Sequence, residues 1–600
     1  MTPTASPFTI ALISMPWSLF NRPSVQLGAL KAYLEDNSPV KVECFHPYLD
    51  AARIIGPDTY TYLSKNSWAG EALYSAILFP ENREKARKLF QARCREKKNI
   101  AADFDTLTRK LQSSLDSWVE NTDFAPFSLI GFSICFSQLF ASLTAAKLIK
   151  KKMPGIPVVF GGSSCVGSMG TTLQQQFEQI DYIIAGEGEK QLEALCRSLQ
   201  TIRKHPSAEV AEVETTSPSF THPIGNLDEL PTPDYRPYFR ELEQVFPGKP
   251  FSPTVPLEFS RGCWWKRCTF CNLNLQWHGY RHKTAKKMLT ELHHLINLHE
   301  VLDFTFCDNA LPRAETDKFF NATAGCHLDL RFFAEIRAIR DPEKLALYAS
   351  GGLNSVQVGI ESLSSTLLNR MQKGTTVIEN IAVMKYCAEQ QIHLDGNLIL
   401  EFPGSTGEEA QETLAHLDFV FPYRPLSSAA FFLGSGSAVM CNPEQYGIDS
   451  VILHPYNAQL FPQNRVKHLD LLIKDYRGNK GRQQKHWQPV REKIGRWQKF
   501  HATRSSSDPA PLSYRDGGSF LLIRQERYNA PPLLHRLKGS SRKLYLFCSV
   551  IRNLEEIRHH FPELPEKSIL KFFKDLSNKQ LLYQENDTFL ALALAARKLK

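Results

Sequence analysis

Three cysteines stand close together in the run LEFSRGCWWKRCTFCNLN. Four residues separate Cys263 from Cys268, and two separate Cys268 from Cys271. Three thiolates on one loop can hold three irons of a [4Fe–4S] cube. The fourth iron then stays open to a small molecule, which suits catalysis better than simple electron carriage. Structural zinc would want a fourth Cys or His. His278 and His282 stand nearby, so zinc is the alternative reading of the same residues. Three unrelated buried thiols would be the plainest account, but a Gly-containing, Trp-rich loop after a strand argues against it.

Something must carry that loop. Upstream, FTIALISMP, KVECFHP, SLIGFSICFSQ, IPVVFGG and DYIIAGEGE are short apolar runs, and helical patterns such as SVQLGALKAYLED and LFASLTAAKLIKKKM lie between them. Near-continuous apolar strands alternating with helices predict a parallel sheet covered on both faces. Residues 1–200 therefore read as a Rossmann-like, doubly wound domain with a charged helical insertion over 50–124. Residues 201–239, rich in Pro and Ser, read as an extended linker. Six further βα units over 240–450 predict a partial parallel (β/α)6 barrel. Chemistry in such folds sits at the C-terminal ends of strands, and those ends carry SRGCWW, CDN, EIR, GIES and FPGST. Residues 451–511 read as a basic helical connector with a solvated helix face. Residues 512–600 show a hairpin, three short helices and a two-strand wing, which predicts a winged-helix-like module. The fold class is α/β throughout the first two domains.

Composition narrows the function classes. With 600 residues, about four domains are expected at roughly 150 residues each. Lys+Arg 71 against Asp+Glu 62 leaves a net charge of +9, which permits an anionic or peptide partner without pointing to nucleic acid. Charged residues at 22% and hydrophobic residues at 42% exclude wholesale disorder. No apolar run approaches the roughly 18–20 residues that span a bilayer, so no membrane partner is expected. MTPTASPFTIALISMPW lacks a basic n-region and reads as a first strand rather than a signal peptide. Thirteen cysteines, mostly scattered singly, fit a reducing cytoplasm.

The strand followed by a cysteine loop resembles the radical S-adenosylmethionine (SAM) superfamily, although the first cysteine gap is one residue longer than its usual three. The resemblance continues along Pro256 to Ser437. Phe270, just before the last cysteine, matches an aromatic that packs near the adenine. Asp308 and Asn309 match the end of the second barrel strand, where the methionine amino group is bound. Glu361 and Ser362 match a ribose-side position, MQKGTT is a familiar tail, and NLILEFPGST resembles a segment running past the adenine. LIGFSICFSQ, VVFGGSSCVGSMG, DYIIAGEGE and LDELPTPDY resemble the cobalamin-binding type of domain that often precedes such barrels. More narrowly, GCWWKRCTFCNLN, the helical insertion and SWAGEALYSAILFP resemble radical SAM proteins that mature ribosomally made peptides, several of them described as C-methyltransferases.

The resemblance implies a [4Fe–4S] cluster on Cys263, Cys268 and Cys271, bound SAM, and cobalamin beside Gly161, Gly162 and Ser163. It also implies a reducing electron donor and a precursor peptide as partners. The expected reaction is methylation of an unactivated carbon: the cluster reduces SAM, the resulting 5′-deoxyadenosyl radical takes a substrate hydrogen, and cobalamin delivers the methyl group. The alternatives are a radical SAM enzyme that does not methylate (an epimerase, cyclase or rearranging enzyme) and a non-catalytic metal-binding scaffold for a peptide. No residue is singled out as catalytic.

Several motifs also carry blander readings. A Gly-rich turn such as GGSSCVG also simply reverses a chain. The D-x-H-x-x-G motif whose His ligates cobalt is absent, and His46 reads as an ordinary loop histidine. Cobalt would therefore lack a His ligand, or the domain has lost cobalamin. GEGE serves equally as a turn with Glu189 at a helix N-terminus. Glu335 and Arg337 share a strand face, so they form either a salt bridge or, through Arg337, a contact to the SAM carboxylate. Trp264 and Trp265 are expected to shield the cluster, and Cys307 and Cys441 to be buried small hydrophobes. The C-terminal module either packs on the barrel or grips a peptide along a strand edge in LSYRDGGSFLLIRQER.

Overall fold

Five parallel strands open the chain: β1 (Thr9–Ile13), β2 (Lys41–Phe45), β3 (Phe127–Ser133), β4 (Val158–Gly161) and β5 (Tyr182–Ile184), in the spatial order β2-β1-β3-β4-β5. The computed structural model describes residues 8–94, 103–135, 137–204, 223–248, 251–277, 279–505 and 508–596. Both faces of this sheet are covered, because TIALI and FSLIGFS are apolar on both sides. One face packs on the insertion, whose helices run Tyr48–Ile55, Pro57–Lys65, Ser67–Leu78, Arg83–Cys94 and Phe104–Asn121. The other packs on the helices Val25–Asn37 and Glu189–Lys204. The strand order reverses between β1 and β3, which leaves a crevice at their C-terminal ends.

The second domain is an open, all-parallel sheet of six strands in sequential order: Val255–Leu257, Asp303–Phe306, Arg331–Ile336, Leu353–Glu361, His393–Leu400 and Ser427–Ala430. Helices separate them, and two, Val377–Glu389 and Gly407–Val420, begin with complete capping boxes at Thr376–Glu379 and Thr406–Glu409. This is the partial α/β barrel that the six βα patterns predict.

Three segments differ from the sequence-based expectation. The part of the 201–239 region that is described does not stay extended: Arg236–Val245 is a helix, because Tyr238 and Leu242 bury one side of it and Pro237 starts it. The rest of that linker, 205–222, lies outside the described residues. The 451–511 connector is not all helical. Ile448–Leu453 and Ile473–Gly478 pair antiparallel with each other, and Leu433–Gly434 joins them in a small sheet. Only Lys480–Ala502 is the long basic helix, and it is more than a solvated face. Trp487, Val490, Ile494 and Trp497 form an apolar stripe buried against the barrel. Their spacing of three and four residues is the helical signature that the surrounding Lys and Arg obscured.

The C-terminal module has three strands where two were expected: Leu512–Asp516, Phe520–Arg527 and Ala530–Lys538. Pro531 and Pro532 hid the third, since prolines are confined to strand edges and starts. The hairpin is therefore interior to the sheet: Ala530–Lys538 covers one side and Leu594–Ala595 the other. The helices Gly539–Phe547, Leu554–His560 and Glu566–Asn578 follow, then the wing Leu582–Glu585 with Thr588–Ala591. The module shares one apolar core with the barrel. Tyr423 Oη donates to Leu592 O at 2.7 Å, and Glu585 accepts the N–H of Ile378 at 2.7 Å at the start of a barrel helix. No helix among the described residues is long and apolar enough to cross a membrane.

The tryptophan stripe yields a stability test. Trp497 is 2% exposed and its Nε1 donates to Phe421 O and Tyr423 O. Trp497→Ala should cost about 3–5 kcal/mol in denaturant unfolding, while Arg496→Ala, on the exposed side of the same helix, should stay within about 0.5 kcal/mol.

Candidate active site

The cysteine loop leaves the barrel immediately after its first strand and is closed at its base by a two-residue antiparallel bridge. Ser260 pairs with His282 and Arg261 with Arg281. Within the loop, Cys271 N donates to Cys268 O at 3.2 Å, and Thr269 N donates to Met371 O at 3.0 Å. Trp265 Nε1 donates to Gln372 O at 2.8 Å. The loop is thus stitched to the MQKGTT tail after the fourth barrel strand. Gly374 in that tail has φ +68°, and a Cβ there would lie 2.0 Å from the Trp265 ring, so only glycine lets the indole lie down. Arg337 lies over Trp265 at 4.7 Å and Trp264 at 5.3 Å, and Arg313 lies over Trp264 at 3.9 Å.

All three thiols are free and half-buried. They lie within electrostatic reach of one another. Burial pushes Cys271 up to about 11, and Cys268 and Cys263 add to the rise. Burial also raises Cys268, opposed by Lys373 and Arg337. Beside them, the Asn272 Nδ2 and Asn274 Oδ1 atoms are buried without a hydrogen-bond partner. A donor set of three thiols, two cations that favour their thiolate form and two orphaned polar atoms fits an iron–sulfur cube. The zinc alternative finds less. His282 Nδ1 lies 3.0 Å from Lys283 O, and His278 lies outside the described residues.

The residues expected around SAM divide into two groups. Phe270, Glu335 and Glu361 stand together at the barrel mouth. Glu361 accepts from Lys373 Nζ at 3.1 Å, and the same ammonium lies 5.9 Å from the Phe270 ring. Burial raises the Glu335 carboxyl, and Glu361 raises it further. Asn309 is part-exposed, lines the cavity described below, and its Nδ2 donates to Leu273 O at 3.3 Å.

The other three are committed elsewhere. The Asp308 carboxylate accepts the Phe259 N–H at 3.1 Å and the Ser260 hydroxyl at 2.5 Å, so it locks the strand end that launches the cysteine loop. Ser362 is buried, and its hydroxyl accepts the Ser364 N–H at 3.0 Å in a turn. Arg337 donates to Lys373 O and covers the two tryptophans, and it forms no ion pair with Glu335. Its expected salt bridge with Glu335 is replaced by a role in holding the loop. The cation that does stand in the barrel mouth is Lys373, which the sequence reading passed over inside MQKGTT.

A cavity of about 220 Å³ lies between the two domains. Gly161, Gly162 and Ser163 line it from the end of β4, as do Gln26 and Gly131. From the barrel side, Gly262, Gln276, Trp277 and Cys307 close it. Toward cobalamin, this wall offers small and apolar groups: Gly131, Gly161, Gly162 and Gly186 stand beside Leu12, Val159 and Ile184, a surface that suits a flat macrocycle. His46 is not on this wall. It is buried against Glu241, 3.3 Å from Nδ1 to Oε1. Cys307 and Cys441 are both solvent-accessible rather than buried, and Cys307 is deep in the fold yet wetted because it faces the cavity.

GEGE proves to be more than a turn. Arg261, 3% exposed, pairs with Glu187 at 2.8 Å, Glu189 at 2.5 Å and Glu258 at 2.9 Å. Arg281 pairs with Glu187 as well. Burial would raise Glu258, but Arg261 holds it below the usual carboxylate range. The sequence signal was present, two arginines bracketing the loop and two glutamates in one turn, but nothing in the spacing says that they meet.

Residues 257–417 match the Radical SAM superfamily. The chain is 28% identical over 299 residues to an uncharacterized methyltransferase of Pyrococcus horikoshii, covering 48% of this chain and 63% of that one. It is 24% identical to the anaerobic magnesium-protoporphyrin IX monomethyl ester cyclase of Cereibacter sphaeroides, over 46% of this chain and 47% of the relative. The chain therefore spans between about half and two thirds of the length of these relatives. Among solved structures, it superposes on a radical SAM methyltransferase of Kitasatospora setae bearing cobalamin and a [4Fe–4S] cluster, with a TM-score of 0.52, 14% identity, and 82% of this chain covering 89% of that one. The chain carries a radical SAM domain on an α/β fold, and such a domain implies a [4Fe–4S] cluster and SAM.

Two variants test the site. Lys373→Met should weaken SAM binding on the order of tenfold by removing a charge-assisted contact, with iron content unchanged, as read by equilibrium binding to the cluster-loaded protein. Burial raises the Asp308 carboxyl from an ordinary 3.8 to about 7. Such a group contributes stability that is complete below about pH 4 and lost as pH rises through about 7. Asp308→Asn cannot ionise, so its melting temperature should gain on the wild type between about pH 4 and about pH 7 and hold that difference above.

Proposed function

We propose that the chain is a cobalamin-dependent radical SAM C-methyltransferase that acts on a ribosomally made peptide. One observation carries the first half: the loop that bears Cys263, Cys268 and Cys271 is itself a wall of the cavity floored by Gly161 and Gly162, through Gly262, Gln276 and Trp277. The cysteine loop and the glycine-bearing strand ends of the first domain thus face the same space. When bound, the cluster, SAM and cobalamin together supply a reducing electron, a hydrogen-abstracting radical and a transferable methyl group.

The chain's own residues bind, orient and shield. Cys263, Cys268 and Cys271 would hold the cluster, with Trp264, Trp265 and Arg337 keeping water from it. Lys373, Glu361, Glu335 and Phe270 would take SAM, the ammonium suiting its carboxylate and the glutamates its cationic and hydroxyl groups. Ser260 and Asp308 fix the strand end from which the loop departs. The electron must come from an external reducing donor.

The peptide half rests on the third strand of the C-terminal module. Ala530–Lys538 lies at the sheet edge, and Leu534 is 67% exposed there with Leu533 beside it. Residues 512–543 carry seven Lys or Arg against two acidic residues. An open edge with apolar side chains in basic surroundings suits an extended, acidic peptide added as a further strand. The 512–527 hairpin, being interior, does not.

Anaerobic purification with quantification of iron, sulfide and corrinoid tests the reading. One cluster and one corrinoid per chain, with methyl transfer from SAM to peptide, are expected. A chain that loads a cluster but no corrinoid is a non-methylating radical SAM enzyme instead. Extended peptides selected from a display library against the wild type should lose most of their affinity for the Leu533→Ser/Leu534→Ser double variant, while its melting temperature holds. Unchanged affinity would remove the peptide from the proposal.

A further inference from the structure

The ion cluster at the base of the cysteine loop joins the two domains beside the cavity. Glu187 and Glu189 come from the turn after β5, on the domain that floors the cavity. Arg261 and Arg281 form the bridge that closes the cysteine loop, and Glu258 precedes it on the barrel. Glu187, Glu189, Glu258 and Arg261 all line the cavity.

Arg261 spends its guanidinium as a fork. Its Nε donates to Glu258, Nη1 to Glu187 at 2.8 Å, and Nη2 to both Glu189 at 2.5 Å and Glu258 at 3.0 Å. The Trp277 ring, on the cavity wall, lies 5.5 Å from the same group. A planar fork held on three carboxylates from two domains fixes both distance and angle, which a single point charge would not. Arg281 adds a second grip on Glu187 and reaches Ile224 O. Two residues beyond Arg261, the chain is Cys263.

We propose that Arg261, gripped by Glu187 and Glu189, is a positioning residue that sets the separation between the cysteine loop and the cavity floor, and so couples SAM cleavage to methyl transfer. The inference rests on the cobalamin-dependent reading above. The Nε, Nη1 and Nη2 groups of Arg261 are all engaged by protein carboxylates. Their effect passes through the loop, because rotation about the Ser260–Arg261 bridge would carry Cys263 and Trp277 together relative to Gly161 and Gly162. Loss of alignment between two cofactors in one cavity penalises the step that needs both, while cleavage of SAM at the cluster needs only one.

The test uses the full chain loaded with cluster and cobalamin. Arg261→Lys keeps the charge and loses the fork. Pulsed dipolar EPR between the reduced cluster and cob(II)alamin should give a narrow distance distribution in the wild type and a broadened or displaced one in the variant. The ratio of 5′-deoxyadenosine to methylated product should rise on the order of tenfold or more, with iron and corrinoid content unchanged. Glu189→Gln, isosteric and milder, should shift both readouts in the same direction and serves if Arg261→Lys does not fold. An unchanged distance distribution together with an unchanged ratio in a folded variant overturns the proposal and leaves the cobalamin-dependent reading standing. A wild-type chain that takes up no corrinoid overturns both.

Discussion

A guanidinium taken out of water is tolerable only when its charge and its donors are all met. Arg261 meets that condition with three carboxylates, and the condition dictates much around it. Removing one partner from a buried ion pair typically costs about 3–5 kcal/mol, because the remaining charge stays buried and unpaired. The turn after β5 must therefore present both Glu187 and Glu189 at one place, and the helix Glu189–Lys204 must begin there. The bridge between Ser260–Arg261 and Arg281–His282 must form, or the arginines would point apart. A loop bearing three thiols thereby gains a rigid base between two domains, although most of its own residues are only half-buried.

The same economy governs the barrel mouth. Polar groups nearest the loop hold the protein in place: Asp308 ties the strand end, Arg337 roofs the tryptophans, and Ser362 closes a turn. The groups left facing the barrel interior are those one residue or one turn away, namely Asn309, Glu335, Glu361 and Lys373. Glu361 is held at φ +62°, where the ladder to the next strand shifts register, so the strand ends with its carboxylate turned toward Lys373. A site able to orient a charged sulfonium ligand needs both signs of charge at close range, and this arrangement supplies them without drawing on the residues that keep the loop in place.

How much of this was legible in the sequence depended on range. The strands of both domains declared themselves as short apolar runs alternating with helical patterns, a local signal that needs no partner to be recognised. The cysteine spacing and the Gly161–Gly162–Ser163 turn were likewise local; the turn lines the cavity, and the cysteine loop reaches it through Gly262, Gln276 and Trp277. What failed was long-range or hidden by composition. Two prolines disguised the strand Ala530–Lys538, and lysines and arginines disguised the Trp487–Trp497 stripe. Asp308 and Arg337 sit at the strand ends where ligand contacts are expected, and only the fold shows Ser260 and Trp265 claiming them first. Glu187 and Arg261 are 74 residues apart, and no periodicity links them.

The docking of the C-terminal module on the barrel has a consequence for cooperativity. Glu585, from the wing, sits at the N-terminus of the barrel helix Val377–Glu389 and accepts a hydroxyl from Ser365 as well as the Ile378 N–H. There its charge is favourable to the helix dipole. Tyr423 and Tyr386, buried in the barrel, reach Leu592 O and Ile551 N in the module. The module's core and the barrel's core are one continuous apolar cluster. Architecture divides the chain after the long basic helix, but the folding unit does not: barrel and module should melt as one, and amides in the wing should exchange with solvent as slowly as those in the barrel helices on which they rest.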